Sequence, residues 1–180
     1  GKRDYEAAKK LLAEAGYSGQ PVTCVVAQDQ PWVKAMGEIT ADVLKKIGMT
    51  VDFVATDWGT VGQRRASKNP PGQGGWSVFH TWHAGSDCAS PVGNIAIRTN
   101  GDKAWFGWPD NADIEKDISA WYDAKTLDEE KAIITRVNKA GMEHVTYIPT
   151  GFWLGYTAWR SNVEGVTNGP LPWFWGPKKA

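Results

Sequence analysis

The stretch Met49–Asn94, MTVDFVATDWGTVGQRRASKNPPGQGGWSVFHTWHAGSDCASPVGN, constrains this chain more than any other. An apolar run, Val51–Ala55, is followed by Asp57-Trp58 opening a helix. A break at Asn69–Gly75 (NPPGQGG) tolerates neither helix nor strand. A second apolar run, Trp76–Trp82, lacks clean alternation, which suits a strand buried on both faces. It ends in a polar loop carrying Trp82, His83, Ser86 and Asp87. Strand, helix, strand, loop is the order of a parallel α/β unit, which presents ligands to the loops at its strand ends.

The flanking segments extend that unit. Asp4 caps a helix whose apolar side is Tyr5, Ala8, Leu11, Leu12 and Ala15, with Gly16 as the stop. Pro21–Gln28 (PVTCVVAQ) is β-branched and reads as a buried strand. Pro31 then stands near the first position of a second helix. Trp32, Met36, Ile39, Val43 and Ile47 recur at helical steps, so that face is expected to be buried, Trp32 included. In the helix after Asp57, Val61 points inward and Arg64, Arg65 and Lys68 outward. Strands Pro21–Gln28, Val51–Ala55 and Trp76–Trp82 are expected as neighbours in one largely parallel sheet.

The second half is less regular. A short helix is expected near Val92–Ile97. Asp110 or Asn111 caps a helix carrying Ile114, Ile118 and Trp121. Thr126 and Glu129 form a capping box for a helix carrying Ile133, Val137 and Ala140 and reaching about His144. Tyr147–Trp159 (YIPTGFWLGYTAW) is extended and aromatic. The tail NGPLPWFWGPKKA holds three prolines, 170, 172 and 177. It makes no core of its own and wants a partner surface.

Composition narrows the function. Twenty basic residues balance twenty acidic ones in 180 residues, so no basic face is available for nucleic acid. No apolar run approaches a membrane span. The opening Gly1-Lys2-Arg3 leads almost at once to a helix, an abrupt start expected of a mature or truncated chain. Eleven tryptophans exceed what a core of this size needs; such a surplus accompanies stacked ligands and interfaces. Cys24 and Cys88 fit no metal or redox spacing. In an oxidising compartment they can pair; the plainer reading is two separate thiols. His80 and His83 with Asp87 and Cys88 suggest zinc only weakly, because on a strand the two imidazoles project to opposite faces. No phosphate loop, nucleophile elbow or cofactor motif is present, so no cofactor is expected.

Several segments resemble a known family. DYEAAKKLLAEAGY at the start is similar to the segment before the distal-lobe strand of extracellular solute-binding proteins of family 5, the oligopeptide- and dipeptide-binding proteins of ABC importers. DVLKKIGMTVDF, DWGTVGQRR and WSVFHTWHAGSDCASP resemble the family's subsequent helix, strands and ligand loop. GWPDNADIEKDISAWYDAKTLDEEKAIITRVNKAGMEHVTYIPTGF resembles its closing helix pair and return strand, and FWG its terminal aromatic motif. The order matches over nearly the whole chain.

The resemblance implies one α/β lobe of a two-lobe periplasmic-binding-protein type II fold. Residues 1–145 would form the distal ligand-binding lobe. Residues 146–180 would form a hinge-return strand and a tail that packs on an N-terminal lobe of the same polypeptide, or self-associates without it. The implied function is capture of a peptide or similar small solute in an interlobe cleft, in the periplasm or another extracytoplasmic, membrane-associated setting, for delivery to an ABC permease in the inner membrane. It is not an enzyme. By family position Trp58, Trp82, Trp32 and Gln28 are implied ligand contacts, with His83 and Asp87 in the loop. Peptide-binding members carry an aspartate three residues after the loop tryptophan; here that position is Gly85, and Asp87 is the nearest carboxylate of the loop. The rival classes are a carbohydrate-active enzyme, which needs two carboxylates facing one cleft, and a Trp-rich carbohydrate-binding or plain interaction domain.

Overall fold

A computed structural model describes residues 3–169 and 173–180 of the chain. Gly1, Lys2 and the tail residues Pro170, Leu171 and Pro172 lie outside the described residues, so the expectations that rest on them do too. The chain divides into two compact units, Gly1–Trp82 and His83–Ala180.

The first unit is built on strand β1, Val22–Ala27, whose residues from Thr23 onward are all buried. It lies between β2 (Val51–Thr56) and β3 (Val78–Phe79) and runs parallel to both. In register, Val22 faces Val51 and Ala27 faces Thr56 on one side, and Cys24 faces Val78 on the other. The expected parallel sheet is therefore present. β1 leads through α2 (Pro31–Lys46) to β2, and β2 leads through α3 (Trp58–Arg64) back across β1 to β3. Alternate β1 side chains serve the two helices. Val26 packs against α2 at Gly37, whereas Val25 and Ala27 pack with Val61 of α3, and Val33 joins that cluster at its edge.

Close packing on β1 decides which face of α2 turns inward. The buried stripe is Val33, Gly37 and Ala41, with Met36 half-buried. The expected stripe of Trp32, Met36, Ile39, Val43 and Ile47 is corrected on two members: Trp32 is 43% and Ile39 62% exposed. A Cβ on Gly37 would sit 2.4 Å from a methyl carbon of Val26, so the helix needs small residues where it meets the sheet.

Helix α1 (Tyr5–Glu14) has Asp4 as its cap but buries none of its residues fully, and Leu11 is exposed. Its tether is the loop after it, where the Tyr17 hydroxyl donates to the Gln20 carbonyl and accepts from the Thr50 N–H.

The strand expected over Trp76–Trp82 is only Val78–Phe79. At Ser77 the side chain takes a ladder position: its Oγ accepts the Thr23 N–H at 3.1 Å, while its own N–H donates to the Thr23 carbonyl. Trp76 is drawn off to α3, where its indole N–H donates to the Arg65 carbonyl. Arg64 and Arg65 are half-buried rather than outward, because Arg64 Nε donates to the Gly75 carbonyl and Arg65 lies over Trp58. His80 is buried at the end of β3, with Nε2 2.8 Å from the Thr40 hydroxyl of α2. Burial lowers its pKa.

The second unit centres on an antiparallel helix pair, α4 (Ala112–Asp123) and α5 (Leu127–His144). Asn111 caps α4, and Thr126 with Glu129 forms the expected capping box on α5. Ile114, Ile118, Ile133, Val137 and Ile97 form the core. Arg98 and Glu115 pair across it at 2.6 Å, and Glu115 also accepts the buried Thr99 N–H. Burial alone would raise the Glu115 carboxyl, but these donors together hold it below the usual carboxylate range.

No helix forms at Val92–Ile97. The Asn94 side chain accepts the Ala96 N–H and Ser90 Oγ accepts the Gly93 N–H, so side chains take the backbone groups a helix would use. Tyr147–Trp159 forms no strand; Phe152 and Tyr156 are almost fully exposed, and Leu154 is exposed. Beyond it, β4 (Val163–Glu164) pairs antiparallel with β5 (Lys178–Lys179). Cys24 is buried and Cys88 exposed, and neither is in a disulfide.

The packing of the first unit makes two effects measurable. Gly37→Ala should lower stability by about 1–2 kcal/mol, the clash with Val26 outweighing the helix propensity gained. Gly62→Ala, where an added Cβ meets nothing within 4 Å, should raise it by about 0.5–1 kcal/mol. Urea unfolding of both variants tests this, and equal shifts would contradict the packing account. The second effect concerns pH. The unfolded chain protonates His80 as pH falls below about 6.5, while the folded chain resists until a lower pH. Stability is thus fully present above that value and falls as pH drops through the window beneath it. Comparing unfolding free energies at pH 5.5 and 7.5 should show a smaller pH dependence in His80→Gln than in the wild type.

Candidate functional site

The three parallel strands of the first unit end together on one edge, and each leads into a tryptophan. After β1 come Gln28, Asp29 and, at the head of α2, Trp32. After β2, Asp57 opens α3 at Trp58. After β3 come His80 and Trp82. Because the chain crosses back over β1 between β2 and β3, this carboxyl edge is a topological switch point, the place where open α/β sheets take ligands.

The indoles of Trp32, Trp58 and Trp82 meet there. Trp82 lies tilted on Trp58 with ring centroids 4.8 Å apart, and meets Trp32 edge-on at 5.8 Å. Trp82 is 38% exposed and Trp58 half-buried, so the cluster stays open to solvent while packing on itself. The Arg65 guanidinium lies over Trp58, 5.8 Å from the ring centroid.

The backbone at the start of α3, where Trp58 stands, is pinned by side-chain oxygens. The Trp58 N–H donates to Asp29 Oδ1 at 2.9 Å, tying the loop after β1 to the first residue of α3. Asp57 caps the same helix: Oδ1 accepts the Thr60 N–H and Oδ2 the Thr60 hydroxyl at 2.6 Å. The Thr60 hydroxyl, then its N–H, hold the Asp57 carboxyl below its ordinary range. Gln28 is half-buried; its N–H extends the pairing with β2 by donating to the Thr56 carbonyl.

The other two expected residues belong to the second unit. His83 is half-buried, with its ring edge toward Trp105 at 5.2 Å, and its Nε2 is buried without a hydrogen-bond partner. Asp87 is exposed on the turns after it, accepting from the Ser86 hydroxyl at 3.3 Å. Among the described residues no group of three or more His, Cys, Asp or Glu is placed to hold a metal, and His80 is engaged with Thr40. Trp32, Trp58 and Trp82 are thus brought together, with Gln28 on an adjoining loop.

Sequence reasoning missed two members of the arrangement. Arg65 reads as one of a solvated basic pair, yet it covers an indole. Asp29 reads as part of a helix start, yet α2 takes no side-chain cap from Gln30, and Asp29 instead bonds to Trp58, 29 residues away. No local signal carries a bond of that span.

The chain is similar to known proteins. Residues 1–87 match the model of the bacterial extracellular solute-binding proteins, family 5 Middle. A probable peptide ABC transporter periplasmic-binding protein of Sinorhizobium fredii is 32% identical over 177 residues, covering 98% of this chain and 33% of that protein. The dipeptide-binding protein of Pseudoalteromonas sp. SM9913, solved in complex with Met-Leu, superposes with a TM-score of 0.70 at 22% identity, over 98% of this chain and 36% of that one. The oligopeptide-binding protein AppA of Bacillus subtilis, solved with a nonapeptide, gives 0.58 at 17% identity, over 94% and 35%. The chain spans about a third of the length of these relatives.

Proposed function

From the chain's membership of the bacterial extracellular solute-binding proteins of family 5, an α/β family of solute binders rather than enzymes, we propose that the whole protein captures a short peptide or similar small solute and delivers it to the permease of an ABC importer. The place is outside the cytoplasm, in the periplasm. The observation that carries this reading is the convergence of Trp32, Trp58 and Trp82 at the carboxyl edge of the parallel sheet. Exposed indoles supply apolar area for a ligand and few rotamers to freeze. In this reading Trp58 and Trp82 form the wall, and Trp32 and Gln28 border it. The mechanism is closure: a ligand that touches two lobes favours the closed form, which the permease reads.

Residues 1–145 are then the distal lobe, and residues 146–180 the return segment and tail that the rest of the polypeptide covers. The exposed aromatic side chains of Phe152, Trp153 and Tyr156 support this reading, since water is a poor long-term neighbour for so much apolar area.

Calorimetric titration of the full-length protein with di- to pentapeptides, and with oligosaccharides in parallel, tests the function. Peptide binding is expected, with Trp82→Ala weakening it by about tenfold or more, as for a buried aromatic anchor. Binding of sugars alone would replace this reading with the carbohydrate one. Residues 1–180 alone should bind the same peptides more weakly than the full-length protein, because half of the contacts are missing. Sedimentation of residues 1–180 and 1–159 tests the uncovered segment: self-association of the longer form is expected. Two monomers of equal stability would remove its support.

A further inference from the structure

Trp58, Val61 and Arg65 follow one another at steps of three and four residues, along one side of α3. Val61 is fully buried in the cluster on β1, and Trp58 packs against the same cluster. Arg65 is the C-cap residue and keeps helical backbone angles, so it continues that side about two turns beyond Trp58. Helical side chains lean toward the N-terminus of their helix, and the Arg65 guanidinium reaches back to the indole, 5.8 Å from the ring centroid. Spacing permits such a contact on any helix. Here the packing of Val61 on β1 turns this side of α3 inward and selects it. The base of the arginine is held as well. Its carbonyl accepts the Trp76 indole N–H at 3.0 Å, and Trp76 meets Phe79 of β3 edge-on at 4.8 Å.

Two groups therefore meet the Trp58 ring: the Arg65 guanidinium and the Trp82 indole, whose plane is tilted from it by 33° at 4.8 Å. The bond from the Trp58 N–H to Asp29 holds the backbone and leaves the side-chain torsions open. What lies against the ring sets its rotamer. A guanidinium is planar and weakly hydrated, so over an indole it adds stacking to its attraction for the π face.

We propose that Arg65 is a positioning residue of the binding wall, its guanidinium holding the Trp58 indole in the orientation that leans on Trp82. The inference rests on the peptide-capture reading and deepens it with a residue that acts on the ligand through Trp58. A ring released to several rotamers lowers the fraction of molecules whose wall is formed, and apparent affinity falls with that fraction.

The test is a double-mutant cycle on the full-length protein, with Ala-Phe, Ala-Phe-Ala and Ala-Ala-Phe-Ala-Ala as calorimetric probes. Arg65→Met keeps an unbranched apolar stem and removes the planar cation. It should weaken binding by about 3- to 10-fold, the range for one cation–π contact. Arg65→Gln takes its place if Arg65→Met does not fold. Trp58→Leu keeps an apolar side chain against β1 but has no ring to hold. In that background Arg65→Met should change affinity by less than about twofold. Arg65→Lys keeps a cation and should lose less than Arg65→Met. Circular dichroism reads the ring without any ligand, because indoles with centroids 4.8 Å apart give an exciton couplet. The portion of the couplet absent in Trp58→Leu belongs to Trp58, and Arg65→Met should lose most of that portion. Equal weakening by Arg65→Met in both backgrounds, or none in either, overturns the proposal and leaves peptide capture standing. A couplet unchanged in Arg65→Met also overturns it, as does a loss of affinity in Arg65→Lys as large as in Arg65→Met. If wild type binds none of the probes, the peptide-capture reading fails, and the couplet still decides whether Arg65 holds Trp58.

Discussion

Burial of β1 on both faces is the constraint from which the first unit follows. Thr23 to Ala27 are shielded from water, and each backbone group in that dry interior must be paired. Two parallel neighbours supply the pairing, and two helices cover the faces. Parallel neighbours cannot be joined by tight turns, so each connection becomes a helical crossover. All three strand ends then open on one edge. That common edge is a consequence of how one strand is kept dry.

The first unit is further held by side-chain hydrogen bonds that join separate elements. Asp29 ties the end of β1 to the head of α3, the Trp76 indole ties the approach to β3 to the end of α3, and Arg64 does the same through the Gly75 carbonyl. β3 is only two residues long, and these side-chain bonds do for its flanks what a longer ladder would. Of the three clustered indoles, Trp58 rests on a backbone N–H held by Asp29.

The second unit is organised differently. Its core is the seam between α4 and α5, sealed by Ile97 from the preceding irregular segment. The irregular stretch is held through polar side chains: Arg98 with Glu115, the Thr99 hydroxyl on the Asn111 carbonyl, and Asn94 near the Tyr147 hydroxyl. Gly141 lets Ile97 approach α5 to about van der Waals contact. Past Tyr147 the large aromatic side chains of Phe152 and Tyr156 stand in solvent.

The sequence by itself determined the elements whose cause is local. β-branched runs marked β1 and β2, Asp4 marked the start of α1, Thr56 or Asp57 that of α3 and Asp110 or Asn111 that of α4, and the Thr126–Glu129 pair marked α5 together with its inward residues Ile133 and Val137. Parallel order and the positions of Trp58 and Trp82 after their strands were legible for the same reason, since connection length and position along a strand are written in the chain. Tertiary structure alone decided the rest. Which face of α2 is buried depends on the distance at which Val26 meets Gly37, so hydrophobic periodicity pointed to Trp32 and Ile39 while close packing selected Val33, Gly37 and Ala41. The shortening of β3 depends on Ser77 and Trp76 finding partners on other elements. Asp29 and Arg65 acquire their places in the aromatic cluster only once β1 and α3 are side by side, because a hydrogen bond or a cation over a ring is fixed by distance in space and leaves no periodic trace along the chain.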